Sequence, residues 1–203
     1  MIKSKINFLH NEVVVPIPCQ FNRNLSINYN LIGKHIQFLL KKKVKVFYLG
    51  QSASELEWMS AHERIKLAKF VSKKIKKRGI LILQPLAFTN IMDQIEEGKK
   101  LISFGCNALV IQPVPIKGKQ DFYSHPFELS NYSSSRHDSY YLDYMRKISK
   151  ALNIKIIFNN KEVQNGKPLS NNVLDKILSL KNVVSLKEHN RSLKVRNKLY
   201  RRY

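Results

Sequence analysis

Short apolar runs alternate with longer amphipathic runs along most of the chain. Six of the apolar runs are nearly continuous in hydrophobic residues, which is the pattern of parallel strands buried on both faces. The pattern therefore predicts six strands, separated by segments long enough to hold helices. The predicted strands are Val13–Ile17, Val44–Leu49, Ile80–Leu83, Ala108–Ile111, Ile154–Phe158 and Val183–Leu186.

Five amphipathic runs between these strands are predicted to form helices, because their apolar side chains recur at helical spacing. Ser60 with Glu63 three residues later is a capping box that predicts where the second helix begins. Ser170 is predicted to cap the fifth helix. The predicted helices are Asn30–Lys42, Ser60–Lys77, Ile91–Phe104, Tyr140–Ala151 and Leu169–Leu180.

Strands that alternate with helices predict an α/β fold with right-handed crossovers. A doubly wound open sheet and a (β/α) barrel both fit this order. No Gly-x-Gly-x-x-Gly follows the first strand, which weakens the dinucleotide-binding form of the open sheet. The segment Pro113–Asp138 is predicted to be a long loop at the end of the fourth strand, and such loops usually carry function.

Composition narrows the class of protein. The chain has 203 residues, of which 43% are apolar, so it holds enough hydrophobic material for one large domain or two small ones. Cys19 and Cys106 are too few for a disulfide framework, so we expect a reducing, cytoplasmic location. No apolar run approaches the length of a signal peptide core or a membrane span. We therefore expect a protein that is neither secreted nor membrane-spanning.

The formal net charge of +22 has two interpretations. A basic surface suits nucleic acid or anionic lipid. The chain is also rich in Lys, Asn and Ile, residues that AT-rich codons favour whatever the function of the protein. In addition, basic faces that only contact solvent are common. We favour this second interpretation and expect no nucleic-acid binding beyond non-specific contact. The densest basic segments are Lys41–Lys43, Lys73–Arg78 and Arg191–Tyr203.

Two segments next to predicted strands could carry chemistry. Gly50–Glu55 offers small residues, hydroxyls and backbone amides that suit a carboxylate or phosphate, although an ordinary strand-to-helix turn looks the same. Lys187 follows an apolar strand, where loss of hydration would lower its pKa as a Schiff-base lysine requires. The alternative is a lysine that ends a strand and extends into solvent.

Taken together, these segments resemble the dihydrodipicolinate synthase / N-acetylneuraminate lyase family of class I Schiff-base aldolases, which act on pyruvate. The matching segments occur in family order and at near-family spacing. They are Val15–Pro18 with Phe21-Asn22 and Leu25–Ile27, His35–Leu39, Leu49–Glu55, Met59–Arg64, Gly105–Pro113, Ile156–Asn160 and Asn182–Glu188.

The resemblance implies a (β/α)8 TIM barrel with its site at the carboxyl-terminal face. It implies that Lys187 forms an imine with a 2-oxo acid such as pyruvate and that Gly50–Glu55 holds the substrate carboxylate. Ser52 is the best candidate contact, with Gly50, Ala53 and Ser54 as alternatives because the loop is one residue longer than the family pattern. No metal or organic cofactor is implied, since the imine itself accepts electrons. The implied partners are a small 2-oxo acid and further copies of the chain or a complementing chain.

Two departures from the family pattern fall at the implied site. Phe158 stands where the family has a tyrosine, and a phenyl ring cannot relay a proton. The segment Val114–Ile116 replaces an aromatic pair, for which other tyrosines are possible substitutes. Those tyrosines are Tyr123, Tyr132, Tyr140 and Tyr141.

The third departure concerns length, because only about 16 residues follow Lys187. We therefore predict a C-terminally truncated member of the family, an incomplete barrel of about six βα units that lacks the last two strands. Residues 1–190 would form the partial aldolase-like domain and residues 191–203 a basic, degenerate tail. The chain would then be a lyase of the aldolase type that acts on a 2-oxo acid through a lysine Schiff base, either active or inactive because of the truncation. The alternatives are a non-catalytic remnant and a fragment that needs a complementing chain. A nucleic-acid-binding protein is the less favoured alternative.

Overall fold

The computed structural model describes residues 9, 12–86, 90–113, 134–160, 169–188 and 192–202. Within them, strands and helices alternate as the hydrophobic pattern predicts. The chain divides into two compact units, which we call the amino-terminal unit (Leu9–Leu86 and Met92–Val110) and the carboxyl-terminal unit (chiefly Ile111–Tyr203). The strands are β1 Val14–Pro16, β2 Val46–Leu49, β3 Ile80–Leu83, β4 Ala108–Ile111, β5 Lys155–Asn160 and β6 Val183–Glu188. The helices are α1 Tyr29–Lys41, α2 Ala61–Ile75, α3 Ile91–Ser103, α4 Ser134–Ala151, α5 Asn171–Leu178 and α6 Leu193–Arg202.

In the amino-terminal unit, β1 pairs with β2, β2 with β3, and β3 with β4, and each pairing is parallel. Val46 of β2 lies opposite Val14 on one side and Ile80 on the other. All four residues of β2 are buried, as the continuous apolar run predicts. The strands of this unit therefore point the same way, and their carboxyl ends lie along one edge.

The helices of the amino-terminal unit begin at capped residues and bury one face. The predicted capping box is present, since Ser60 Oγ accepts from the Glu63 N–H and the Glu63 carboxylate accepts from the Ser60 N–H at 2.9 Å. Ile36 of α1 and Leu67 of α2 are completely buried. Each such side chain contributes about 1.5–3 kcal/mol to folding by leaving water.

In the carboxyl-terminal unit, β5 and β6 form a parallel pair and α5 packs against β6 and α4. Phe158 of β5, Ile148 of α4 and Ile177 of α5 are completely buried. Ser170 caps α5 as predicted, with its hydroxyl accepting from the Val173 N–H. This unit thus has a hydrophobic core of its own.

Some element boundaries differ from the sequence-based predictions. β5 continues through Asn160 and β6 through Glu188, so Lys187 lies within β6 rather than beyond it. The Nδ2 group of Asn160 donates to a Glu188 carboxylate oxygen at 2.7 Å, and this bond gives both polar side chains a partner in the strands. The helix α4 already begins at Ser134, inside the loop predicted for Pro113–Asp138. The greater part of that loop lies outside the described residues.

The tail 191–203, predicted to be basic and degenerate, contains α6. Leu199 of this helix is buried. The Arg202 guanidinium forms an ion pair with Asp175 of α5, in which Arg202 Nε lies 3.1 Å from Asp175 Oδ1. This ion partner lies 27 residues away in the sequence, so local sequence signals did not reveal it.

Asn182, immediately before β6, connects that strand to the end of α4. Its Nδ2 group donates to the Leu152 carbonyl at 2.8 Å and to the Ser149 carbonyl at 3.1 Å. We expect Asn182→Ala to lower the free energy of unfolding by about 1–3 kcal/mol, because two partly buried carbonyls lose their donor. Asn153→Ala, at an exposed asparagine nearby, is the matched control. Urea unfolding measures both, and equal effects would contradict this role for Asn182.

Candidate functional site

The loop that follows β2 is held by Ser54. The Ser54 hydroxyl donates to the Ile17 carbonyl at 2.6 Å and accepts from the Gly50 N–H at 3.2 Å. Ser54 is completely buried. Its hydroxyl is therefore committed to joining the loop to the chain beyond β1.

A buried amide side chain supports the same loop from the neighbouring strand. Gln84, directly after β3, accepts at Oε1 from the Tyr48 hydroxyl and from the Gln51 N–H, the latter at 3.0 Å. Burial raises the pKa of Tyr48 above its usual range, with the Glu57 charge as a smaller cause. Tyr48 thus remains a neutral donor. The sequence analysis did not identify Gln84, because a single glutamine after a strand carries no recognisable motif.

Gly50 is required at its position by the ring of Tyr48. A Cβ atom on residue 50 would lie 1.8 Å from Tyr48 Cζ. Contact at that distance is impossible without displacing a buried ring or the loop. Gly50, one of the candidate contacts of the substrate carboxylate, is therefore needed for the shape of the loop.

Ser52 and Ala53 occupy the exposed part of the loop. Within the described part of the chain, neither of their backbone N–H groups donates a hydrogen bond. The Ser52 hydroxyl and these two N–H groups are thus available to an anionic ligand, whereas the Ser54 hydroxyl is not. Exposed Glu55, which ends the loop in the left-handed conformation (φ 55°), places a negative charge beside them.

In the carboxyl-terminal unit, the register of β5 and β6 sets the neighbours of Lys187. Asn159 lies opposite Lys187, and Phe158 lies opposite Leu186. Residues paired in this way point to the same face, and successive residues alternate between faces. Half-buried Lys187 therefore shares a face with Asn159, whereas Phe158 lies on the other face.

Asn159 is a buried polar residue that the sequence analysis recorded only as part of a motif. It is 2% exposed, and its Nδ2 group donates to Gln112 Oε1 at 2.8 Å. Its Oδ1 atom is buried and has no hydrogen-bond partner among the described residues. The structure thus places Lys187 on the same face as Asn159, whose amide bonds to Gln112, rather than on the face of Phe158.

The tyrosines considered as substitutes for the family's aromatic residues are only partly described. Tyr140 and Tyr141 lie in α4, with ring centroids 5.2 Å apart, and Tyr140 also contacts Tyr144. Burial raises the pKa of both Tyr140 and Tyr141. Tyr123, Tyr132 and the segment 114–116 lie outside the described residues.

Metal-binding clusters and membrane-spanning helices are both absent from the described residues. No group of three or more His, Cys, Asp or Glu residues there is placed to bind a metal ion. Among the same residues, no helix combines the length and the apolar character needed to cross a bilayer.

Comparison with solved structures identifies the class of fold. A putative dihydrodipicolinate synthetase from Pseudomonas aeruginosa aligns over 93% of this chain and 59% of its own, with a TM-score of 0.76 and 16% identity. N-acetylneuraminate lyase from Fusobacterium nucleatum aligns over 94% and 60%, with a TM-score of 0.76 and 18% identity. The chain therefore has an incomplete (β/α)8 TIM-barrel-type fold with six βα units, which decides between the two predicted architectures.

Sequence comparison leads to the same relatives. A 4-hydroxy-tetrahydrodipicolinate synthase from Brachyspira hyodysenteriae is 23% identical over 168 residues, which cover 83% of this chain and 51% of the relative. An uncharacterized DapA-like lyase from Thermococcus onnurineus is 30% identical over 103 residues, 50% of this chain and 34% of the relative. No protein-family model matches the chain.

These comparisons confirm the resemblance to the dihydrodipicolinate synthase / N-acetylneuraminate lyase family. The chain spans about half or less of the length of the curated relatives that it matches.

The contact between Gly50 and the Tyr48 ring can be tested directly. We expect Gly50→Ala to destabilise the protein by about 1–3 kcal/mol, because the added methyl group overlaps a buried ring. Gly33→Ala in α1 is the control, since its Cβ would meet Phe70 at an ordinary 3.4 Å. A helical Gly→Ala change of this kind usually stabilises by roughly 0.4–1 kcal/mol. Thermal unfolding compares the variants, and a stabilised Gly50→Ala protein would refute the steric role.

Proposed function

We propose that this chain is a lyase-type protein that binds a 2-oxo acid of the pyruvate type through a Schiff base on Lys187. The observation that carries the proposal is the position of Lys187 near the carboxyl end of β6, on the same face as the buried amide of Asn159. The family resemblance implies the same lysine independently. One solved relative, a prophage protein of the dihydrodipicolinic acid synthase family from E. coli K12, was crystallised in complex with pyruvate; it aligns with a TM-score of 0.72 and 17% identity, covering 92% of this chain and 57% of its own.

The chemistry begins with the neutral Lys187 amine. Its Nζ attacks the C2 carbonyl of the 2-oxo acid to give a carbinolamine. The carbinolamine hydroxyl takes a proton from solvent and leaves as water, which forms the iminium. The iminium then accepts the electron pair that is released when a bond at C3 breaks, so no separate electron sink is needed. Asn159 Oδ1, buried and unpartnered in the described structure, is an acceptor on this face.

We further propose that Ser52 contacts the substrate carboxylate, as the resemblance implies. Its exposed hydroxyl and the N–H groups of residues 52 and 53 are available, and such groups suit a carboxylate. Ala53 and Gly50 would contribute backbone groups and loop shape, and Ser54 a structural hydroxyl. Glu55 weakens anion binding here through like-charge repulsion, so we expect a modest affinity.

Phe158 limits the catalytic turnover that we expect from this site. It occupies the position of the family's proton-relay tyrosine and, in addition, lies on the other face of the β5–β6 pair from Lys187. We therefore propose slow imine formation with little or no turnover, in a protein of the cytoplasm. A non-catalytic remnant, or a fragment completed by a further copy or by a complementing chain, is the second candidate; Phe158, which cannot relay a proton, favours it.

Borohydride reduction in the presence of pyruvate tests the lysine assignment. We expect slow, partial labelling of the peptide that contains Lys187, because reduction converts the iminium to a stable secondary amine. Lys187→Arg should abolish that label. The matched control Lys181→Arg, at an exposed lysine of the same unit, should retain it. Labelling spread over many lysines, or unchanged in Lys187→Arg, would overturn the proposal.

Restoring the family's hydroxyl tests the role of residue 158. We expect Phe158→Tyr to leave pyruvate turnover undetectable, because the new hydroxyl would start from the face opposite Lys187. It should also lower stability, since the added oxygen enters a completely buried position. Aldolase assays and thermal unfolding measure the two effects. Measurable turnover by the variant would contradict the placement of residue 158 and Lys187 on opposite faces of the β5–β6 pair.

A further inference from the structure

The amino-terminal unit carries several exposed basic segments at one edge of its sheet and several acidic residues at the other. Three basic segments precede strands: residues 41–45 lie directly before β2, residues 73–78 lie just before β3, and Lys99-Lys100 lie in the last turns of α3, the helix that leads to β4. The acids Glu55, Glu57 and Glu63 follow β2, and Asp93 and Glu96 follow β3. The edge formed by the three basic segments is called the basic edge below.

Strand pairing brings these segments together. β2 pairs with β3 in parallel, so residues 41–45 and 73–78, which lead into these strands, lie side by side. The Ile80 N–H donates to the Lys45 carbonyl at 2.8 Å, which joins the first segment to the second. β3 also pairs with β4 in parallel, so the carboxyl end of α3, which carries Lys99-Lys100, leads toward the same edge. Neighbouring strands are about 4.8 Å apart, so the first residues of β2, β3 and β4 span roughly 10 Å.

The charges of the basic edge are exposed and mostly uncompensated by acids. Lys41–Lys43, Lys76–Arg78 and Lys99-Lys100 are exposed. Among the described residues, the one ion pair recorded on this edge joins Lys45 to Glu12, at 2.9 Å. Complementarity to the helix dipole favours cations within the last helical turn. It does not account for Lys43, Lys45, Lys77 and Arg78, which lie beyond the helix ends.

Two lysines of the basic edge hold a backbone conformation that normally favours glycine. Lys43 and Lys77 both have φ of 60°, and each lies just past a helix. Glycine is the usual residue at such positions because it adopts this conformation without strain. At both positions the chain therefore carries a positively charged residue where glycine would adopt the backbone conformation with less strain.

We propose that the basic edge binds the phosphate backbone of double-stranded nucleic acid without reading its sequence. A duplex presents about one negative charge per 1.7 Å of axis, which suits a compact row of exposed ammonium groups. The segments 41–45 and 73–78 expose no large apolar side chain of their own, since Ile75 is buried and Val44 half-buried. Exposed Phe38, whose ring lies under Lys42, adjoins this edge as one aromatic group, whereas membrane-bound surfaces insert a whole apolar face. This binding is independent of Lys187.

The double substitution Lys43→Gly/Lys77→Gly tests the proposal without risking the fold. It removes two charges of the basic edge. It also removes the backbone strain of two lysines in the left-handed conformation, so we expect an equal or higher Tm. Fluorescence anisotropy with a 24-base-pair DNA duplex at 50–200 mM salt measures binding. We expect the slope of log K against log salt to become less negative by about 1.8, because each lost phosphate contact removes about 0.9. A scrambled duplex should bind equally well.

The control Lys150→Ala/Lys181→Ala removes two exposed charges from the carboxyl-terminal unit. We expect it to leave the salt slope nearly unchanged. Equal losses in the two double variants would overturn the proposal and show that diffuse charge is responsible. Failure of the wild type to bind the duplex at 50 mM salt would also overturn it. So would binding to vesicles containing 25% phosphatidylserine in the absence of duplex binding.

Discussion

Parallel pairing of buried strands is the constraint on which the rest of this structure depends. In the amino-terminal unit it sends every strand in one direction, so the loop after β2 and Gln84 after β3 meet at one edge. In the carboxyl-terminal unit it sets the register that places Lys187 beside Asn159. Each candidate group therefore owes its neighbours to main-chain hydrogen bonds formed several residues away.

The sequence predicted the elements well because buried parallel strands leave continuous apolar runs, and capped helices leave local polar signals. It located the two candidate segments, Gly50–Glu55 and Lys187. It did not predict that β5 and β6 continue into polar residues, because Asn160 and Glu188 satisfy each other across 28 positions of sequence. The helix α6 was overlooked for a similar reason, since its ion partner Asp175 lies on another helix.

The same limit applies to the roles of individual site residues. The hydroxyls of Ser52 and Ser54 are indistinguishable in sequence, yet one is exposed and the other is fully buried against Ile17. The roles of Gln84 and Gln112 depend on partners 33 and 47 residues away. Strand register likewise places Phe158 and Lys187 on opposite faces of the β5–β6 pair. The sequence does not reveal this, because each residue simply lies in a segment that resembles a family motif.

Electrostatics gives the two edges of the amino-terminal unit different chemical characters. Acids near the Gly50–Glu55 loop oppose an anionic ligand, while the basic edge favours one. A carboxylate bound at the acidic edge would therefore rely on directed hydrogen bonds rather than on charge. A polyanion at the basic edge would rely on charge alone, and salt would weaken it steeply.

Imine formation between Lys187 and a 2-oxo acid can be tested without a chemical trap by carbon-13 NMR with pyruvate labelled at C2. We expect a ketimine carbon resonance in the wild-type protein that is absent from Lys187→Arg. A ketimine signal of equal intensity in both proteins, or none in the wild type at saturating pyruvate, would contradict the account.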